Sequence, residues 1–109
     1  MEAIHKNLAK MRWQELSLCE QMANIGSEIS RARIWQNKDQ GIFENAVLRA
    51  LELFELTLTD PRWRGRLREI ARAREVFLDS IHGGKEYKSS LADLDRYFLS
   101  YAYCARLNS

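Results

Sequence analysis

The sequence predicts an all-α fold, an up-down-up-down four-helix bundle with a long first helix, filling residues 1–109 as one domain. Three observations predict it. Apolar residues recur every three or four positions in each of four segments, and no segment alternates in the manner of a strand. Turn and cap residues interrupt the chain three times, at intervals suited to helices. With 109 residues, 46% hydrophobic, 29% charged, 5 Gly and 1 Pro, the composition is that of a globular domain able to bury one core without staples.

The first segment runs from Glu2 to Gln36, with Ile4, Leu8, Met11, Leu18, Met22, Ile25 and Ile29 on one stripe at about 100° per residue. A straight helix of that length would outreach its neighbours, so the spacing predicts either a bend near Gly26 or a projecting end. Gly26 lies near the buried stripe and would also admit a close helix crossing. Asn37-Lys38-Asp39-Gln40-Gly41 is the turn. The second segment spans Ile42 to Thr59, with Phe43, Val47, Ala50, Leu51, Phe54 and Leu58 on one face. Asp60-Pro61 then starts the third, because an Asp side chain accepts from the first free amides and Pro has no amide to leave unpaired. Its apolar face is Trp63, Leu67, Ile70, Phe77, Leu78 and Ile81, and His82-Gly83-Gly84 ends it, glycine taking the left-handed cap readily. Ser90 with Asp93 three residues on resembles a capping box for the fourth helix, whose stripe is Leu91, Leu94, Phe98, Tyr101, Ala102 and Ala105.

Formal net charge is +2, too small for a general statement about nucleic acid. Its distribution is uneven. Arg62, Arg64, Arg66, Arg68, Arg72 and Arg74 stand against the single acid Glu69, so this short stretch is strongly positive and the remainder of the chain is negative. Arg64, Arg68 and Arg72 recur every fourth residue and predict a stripe away from the core, flanked by Arg62 and Arg66, whose forks match phosphate oxygens of RNA or DNA. The bland reading is a solvated helix face.

Two charged residues fall inside apolar stripes. Glu15 and Arg74 are expected to meet as a buried structural ion pair, or to find Tyr97, Tyr101 or Asp95. Ile42, Leu53 and Leu56 lie opposite the core face of the second helix, with Leu48 at its edge, and Trp13 and Trp35 point away from the first stripe; these predict a homo-oligomer contact.

No catalytic, cofactor or metal site emerges. Cys19 and Cys104 show no ligand spacing and read as reduced, packed thiols. His5 and His82 cannot build a metal site, and His82 reads as a helix C-terminal residue favoured by the dipole. No serine or cysteine has a neighbouring base, and no Gly-rich phosphate loop occurs. Apolar runs are too short to span a membrane, and Met1 to Lys6 lacks a basic-then-apolar leader, so the expected location is cytoplasmic.

Asn24-Ile25-Gly26-Ser27-Glu28-Ile29-Ser30-Arg31 resembles the I-P-S-N-I-A-E pattern of the rRNA intervening-sequence proteins, with Gly26 in place of proline and with Glu28 and Arg31 in place of Asn and Glu. Phe43 to Leu53 is similar to that family's next helix. The resemblance implies a ring-like homo-oligomer of four-helix bundles with a basic surface. In the branch of diversity-generating retroelement accessory proteins, it implies binding to a reverse transcriptase and nucleic acid. HEPN bundles are a second likeness. Some are ribonucleases using an Arg and a His four to six residues apart, whereas seven residues separate Arg74 from His82; others are noncatalytic partners of nucleotidyltransferases. The expectation is therefore a nonenzymatic binding module for nucleic-acid phosphates or a protein partner. A HEPN-like enzyme and a pure protein adaptor are the alternatives.

Overall fold

A computed structural model describes residues 10–107, and every regular element among the described residues is a helix. Ile4, His5 and Leu8 lie outside that range. The single long first helix is not what forms: residues 10–13 are helical, the chain turns at 14–16, and α1 is Leu18–Trp35. The cause is local. Ser17 Oγ accepts from the Glu20 amide at 3.1 Å while the Ser17 amide donates to the Glu20 carboxylate at 3.0 Å, a reciprocal cap that starts a new helix. The helix does not break at Gly26, since α1 is continuous through it. Gly26 serves the close crossing instead, because a Cβ there would stand 2.8 Å from Phe98 Cβ.

Asp39 caps α2, Gln40–Leu58, by accepting from the Ile42 amide at 3.1 Å. Asp60-Pro61 does begin a helical element, but its first turns are a 3₁₀ helix, Pro61–Arg66, and Trp63 departs from helical geometry at φ −104°, ψ 25°. The α-helix proper, α3, is Leu67–Ile81. Gly83 and Gly84 follow with φ of 107° and 68°, the left-handed conformations that terminate it. The Ser90–Asp93 box forms as the spacing predicts, each amide bonded to the other's side chain, and opens α4, Leu91–Leu107.

α1 packs extensively against both α4 and α2; α2 also meets α3, and α3 touches α4 sparsely. Three contacts show that α1 and α4 run antiparallel: Cys19 to Cys104, Gly26 to Phe98, and the ion pair of Arg33 with Asp95 at 3.4 Å. The core is built from Met22, Ile25 and Ile29 of α1 against Phe54, Phe77 and Phe98, with Phe54 centred 6.1 Å from each of the other two rings. Burying this aromatic trio contributes several kcal/mol, roughly 2–3 per side chain.

Cys19 and Cys104 are not free thiols. They form a disulfide with Cα atoms 5.8 Å apart and 85 positions between them in sequence. Spacing arguments look for short motifs and are blind to a pair that only the antiparallel register of α1 and α4 brings together. Closing so long a loop restricts the unfolded chain, a term of about 4 kcal/mol in the entropic account, and native disulfides typically contribute about 2–4 kcal/mol. Urea unfolding of the oxidised protein and of the Cys19→Ser/Cys104→Ser variant is expected to differ by about that amount; equal midpoints would show that the bond contributes nothing.

Candidate nucleic-acid interface

The segment that carries the arginines is set in place by a buried polar cluster. Gln21 is fully buried on α1, and its amide nitrogen donates to Trp13 O at 2.8 Å and to Asp60 Oδ2 at 3.0 Å. Its amide oxygen accepts from the Trp63 indole at 2.9 Å. Trp13 donates its own indole N–H to Thr57 Oγ1 at 2.9 Å, and Thr57 passes a hydrogen bond to Leu53 O. Asp60, 2% exposed, is met by Arg62, whose Nη2 donates both to Asp60 Oδ2 and to Leu16 O at 2.7 Å. The Arg62 guanidinium also lies over the Trp63 ring, 4.4 Å from its centroid.

None of Gln21, Thr57 or Asp60 was singled out as a core polar group by the sequence, beyond the capping role of Asp60. Trp13 is a correction as well. It is 7% exposed in the protein's own core rather than on a second surface. The break at residues 14–16 resets the helical phase, so a wheel drawn continuously through it misplaces Trp13.

The same reset removes the expected buried ion pair. Glu15 is exposed in the turn, and no ion pair joins it to Arg74. Arg74 is half-buried on α3 with its Nε enclosed and unpartnered. The alternative partners are engaged elsewhere: Asp95 with Arg33, and Tyr97 and Tyr101 with Glu69. The oligomer contact also changes. Leu53 is 5% exposed in the core and Leu56 packs against it, because α2 buries a wide arc between α1 and α3; Ile42 is half-buried.

The six arginines divide into three kinds. Arg62 and Arg66 are occupied. Arg66 pairs with Glu69 at 2.9 Å, and Glu69 also accepts from the Tyr101 hydroxyl. That Tyr101 bond, with the Arg66 bond and charge, holds the Glu69 carboxyl below its usual range against the cost of burial. Arg74 is turned inward. Arg64, Arg68 and Arg72 are exposed, but they do not form one continuous helical row, since Arg64 lies in the 3₁₀ turn and only Arg68 and Arg72 stand one α-helical turn apart. Arg64 and Arg68 have no ion-pair partner among the described residues. Arg72 sits over the Tyr87 ring, 5.2 Å from its centroid, and the Tyr87 hydroxyl is tied to Glu75 at 2.9 Å. A guanidinium stacked on a ring keeps its charge and its in-plane donors.

Beside Arg72, the sparse meeting of α3 and α4 leaves an open cleft of about 280 Å³, floored by Ala73, Val76 and Leu94 and bordered by Tyr97. His82 is exposed just past the end of α3; lying eight positions on from Arg74, it is separated from it by about 12 Å of helical rise and the two do not converge. Among the described residues no group of three or more His, Cys, Asp and Glu gathers as a metal site, and no helix is long and apolar enough to cross a membrane. No family model, curated protein or solved structure matches the chain.

Hydrogen bonds from Arg62 hold the Asp60 carboxyl down to about 2, against the opposing cost of burial and with help from Gln21. Its folded pKa lies below the unfolded value of 3.8, so the stability it contributes, about 2 kcal/mol, is complete above about pH 4 and lost as pH falls toward about 2. Asp60→Asn should lower stability at neutral pH by about that amount and flatten the decline of unfolding free energy between those pH values; an unchanged acid limb would refute the assignment.

Proposed function

We propose that the chain is a nonenzymatic binding module that sets Arg64, Arg68 and Arg72 against nucleic-acid phosphates. One observation carries the reading: after local pairing is accounted for, these three guanidinium groups remain exposed without a carboxylate partner, while Arg62 and Arg66 are spent within the fold. A solvated surface helix ordinarily pairs such charges at i, i+3 or i, i+4, as Arg49 with Glu52 and Arg96 with Asp93 do here. Arg68 and Arg72, like charges one helical turn apart, cost repulsion that an anionic ligand would relieve, and Arg64 adds an unpaired cation in the preceding 3₁₀ turn.

An acidic protein partner, such as a reverse transcriptase, would meet the same surface. A HEPN-like ribonuclease is less well supported, because Arg74 is half-buried and His82 is remote from it. We also take the helices to run up-down-up-down. Each packs on its sequence neighbours, the first on the last, and the connections are short. The cytoplasmic expectation has the Cys19–Cys104 disulfide against it, since such bonds persist mainly in oxidising compartments.

Self-association belongs to the same reading, through a different surface. Leu99, Tyr103 and Leu107 are each about two-thirds exposed and recur every fourth residue on α4. Sedimentation of the wild type and of Leu99→Asp/Tyr103→Asp should show an assembly that the variant loses; a monomeric wild type would end the oligomer reading.

The phosphate reading is tested by salt-dependent binding to RNA and DNA. Three lost contacts should reduce the salt slope by about 2–3, so Arg64→Gln/Arg68→Gln/Arg72→Gln removes a salt sensitivity of about 20- to 40-fold between roughly 50 and 200 mM. Arg66→Gln is expected to leave affinity and slope unchanged, its charge being held by Glu69. A fall in the salt slope for Arg66→Gln of about one third of that in the triple variant, in proportion to the charge removed, would show that the effect is net charge rather than this surface.

A further inference from the structure

The cleft between α3 and α4 is independent of the charge argument and adjoins it at one residue. Arg72 borders the cleft, and Ala73 next to it in the chain forms part of the floor with Val76 and Leu94. Tyr97, 42% exposed, is the aromatic wall, and its ring is fixed edge-on by Phe98 at 5.2 Å and by Tyr101 at 5.7 Å between centroids. The volume of about 280 Å³ lies just below that of small-molecule sites, which run from roughly 300 to 1,000 Å³, so the cleft has room for one flat ring system and little more. Apolar surface dominates its lining.

Two carboxylates, Glu69 and Asp93, also line the cleft, each paired with an arginine of its own, Arg66 and Arg96 at 2.9 Å, so Arg72 is the charge at the rim without an ion-pair partner. What would fill the cleft is a flat ring joined to an anion. Tyr87 holds that cation by its ring and leaves the guanidinium edge unspent. A polymer that repeats a ring and an anion at every unit matches the sequence of features along α3, where the exposed Arg68 stands one turn from Arg72 and the cleft opens beside it. A paired base cannot enter, since its faces are covered by its neighbours in the stack; an unpaired base can be turned out and stacked on a tyrosine.

We infer that the α3–α4 cleft takes one unpaired base of a single-stranded nucleic acid, stacked on Tyr97, while Arg72 and Arg68 hold the adjoining phosphates. This rests on the phosphate-binding reading above and narrows it from nucleic acid in general to single strands. Tyr97 supplies the ring face, Ala73, Val76 and Leu94 exclude water beneath the base, and Ser89 at the margin places a hydroxyl within the lining. Sequence preference is weak, because stacking favours any base.

The test compares a short single-stranded RNA carrying 2-aminopurine with the duplex of the same sequence, at one salt concentration, on the intact oxidised protein. The expected result is preference for the single strand, quenching of 2-aminopurine on binding, and a loss of about 5- to 150-fold in single-strand affinity for Tyr97→Ala. Tyr97→Phe keeps the ring and gives up only the hydroxyl contacts with Tyr101 and Glu69, so it should retain both affinity and quenching. Should Tyr97→Ala fail to fold, Tyr97→Leu with circular dichroism as a control fills the same position without a ring and is expected to lose quenching. Equal binding of duplex and single strand, with no effect at Tyr97, overturns the cleft assignment and leaves the phosphate surface standing. Absence of any RNA or DNA binding overturns both, as does Tyr97-dependent binding of an acidic, aromatic-rich peptide by a protein that ignores nucleic acid.

Discussion

The amide of Gln21 determines how the chain enters α1 and how it passes from α2 to α3. A primary amide offers two N–H donors and a carbonyl acceptor in a fixed plane, and here its three bonds go to Trp13 O, to Asp60 and to the Trp63 indole. Those partners come from the segment before α1, from the end of α2 and from the 3₁₀ turn that leads to α3. Only one relative placement of the three satisfies them all, and each partner left unpaired in this dry site would cost roughly 1–3 kcal/mol. The Asp60 carboxylate is a buried charge, tolerated because Arg62 reaches back over Trp63 to neutralise it. The kink at Trp63 follows from these demands, since its indole must point at Gln21 while the chain turns into α3.

That cluster also decides which cations the surface retains. In the sequence, six arginines in a short run look like one basic patch. Asp60 withdraws Arg62, Glu69 withdraws Arg66, and Arg74 turns toward the interior with an enclosed Nε. What is left is smaller than the residue count suggests and more sharply placed. Glu69 has a double effect, since the carboxylate that neutralises Arg66 also accepts from Tyr101 and Tyr97 of α4 and so links the basic helix to the last one.

Most of the fold was legible where its cause was local. Asp60-Pro61, Gly83-Gly84 and Ser90 with Asp93 act within three or four residues, and the helix ends fall where those residues stand. The break before α1 is equally local, since Ser17-Leu18-Cys19-Glu20 has the spacing of a capping box, but an apolar stripe that continues across it conceals it. Ignoring that one cap displaced Glu15 into an imagined core and turned Trp13 outward. Leu53 failed for another reason, as a helix packed on two sides buries more than one stripe and no wheel of α2 alone can reveal its second neighbour. The disulfide and the Gln21 cluster join residues 39 to 85 positions apart, and no pattern along the chain announces such pairs.

The location of the cleft follows from how unequally the helices are joined. α1 and α4 are drawn together by the Cys19–Cys104 bond at one end and by the absence of a side chain at Gly26 near the middle, where Phe98 comes within contact. α1 and α2 share the aromatic and aliphatic core and a short turn. Between α3 and α4 the bridge is made instead by long polar side chains, Glu69 reaching to Tyr101 and Tyr97, and such a bridge holds two helices at a distance that apolar packing would close. The gap beneath it is lined by small and branched residues, Ala73 and Val76, too short to fill the space. The helices are thus closely packed around α1, while α3 is held off α4 by polar side chains, which leaves the opening beside the cations that the protein's own carboxylates do not pair, where the proposed recognition surface would lie.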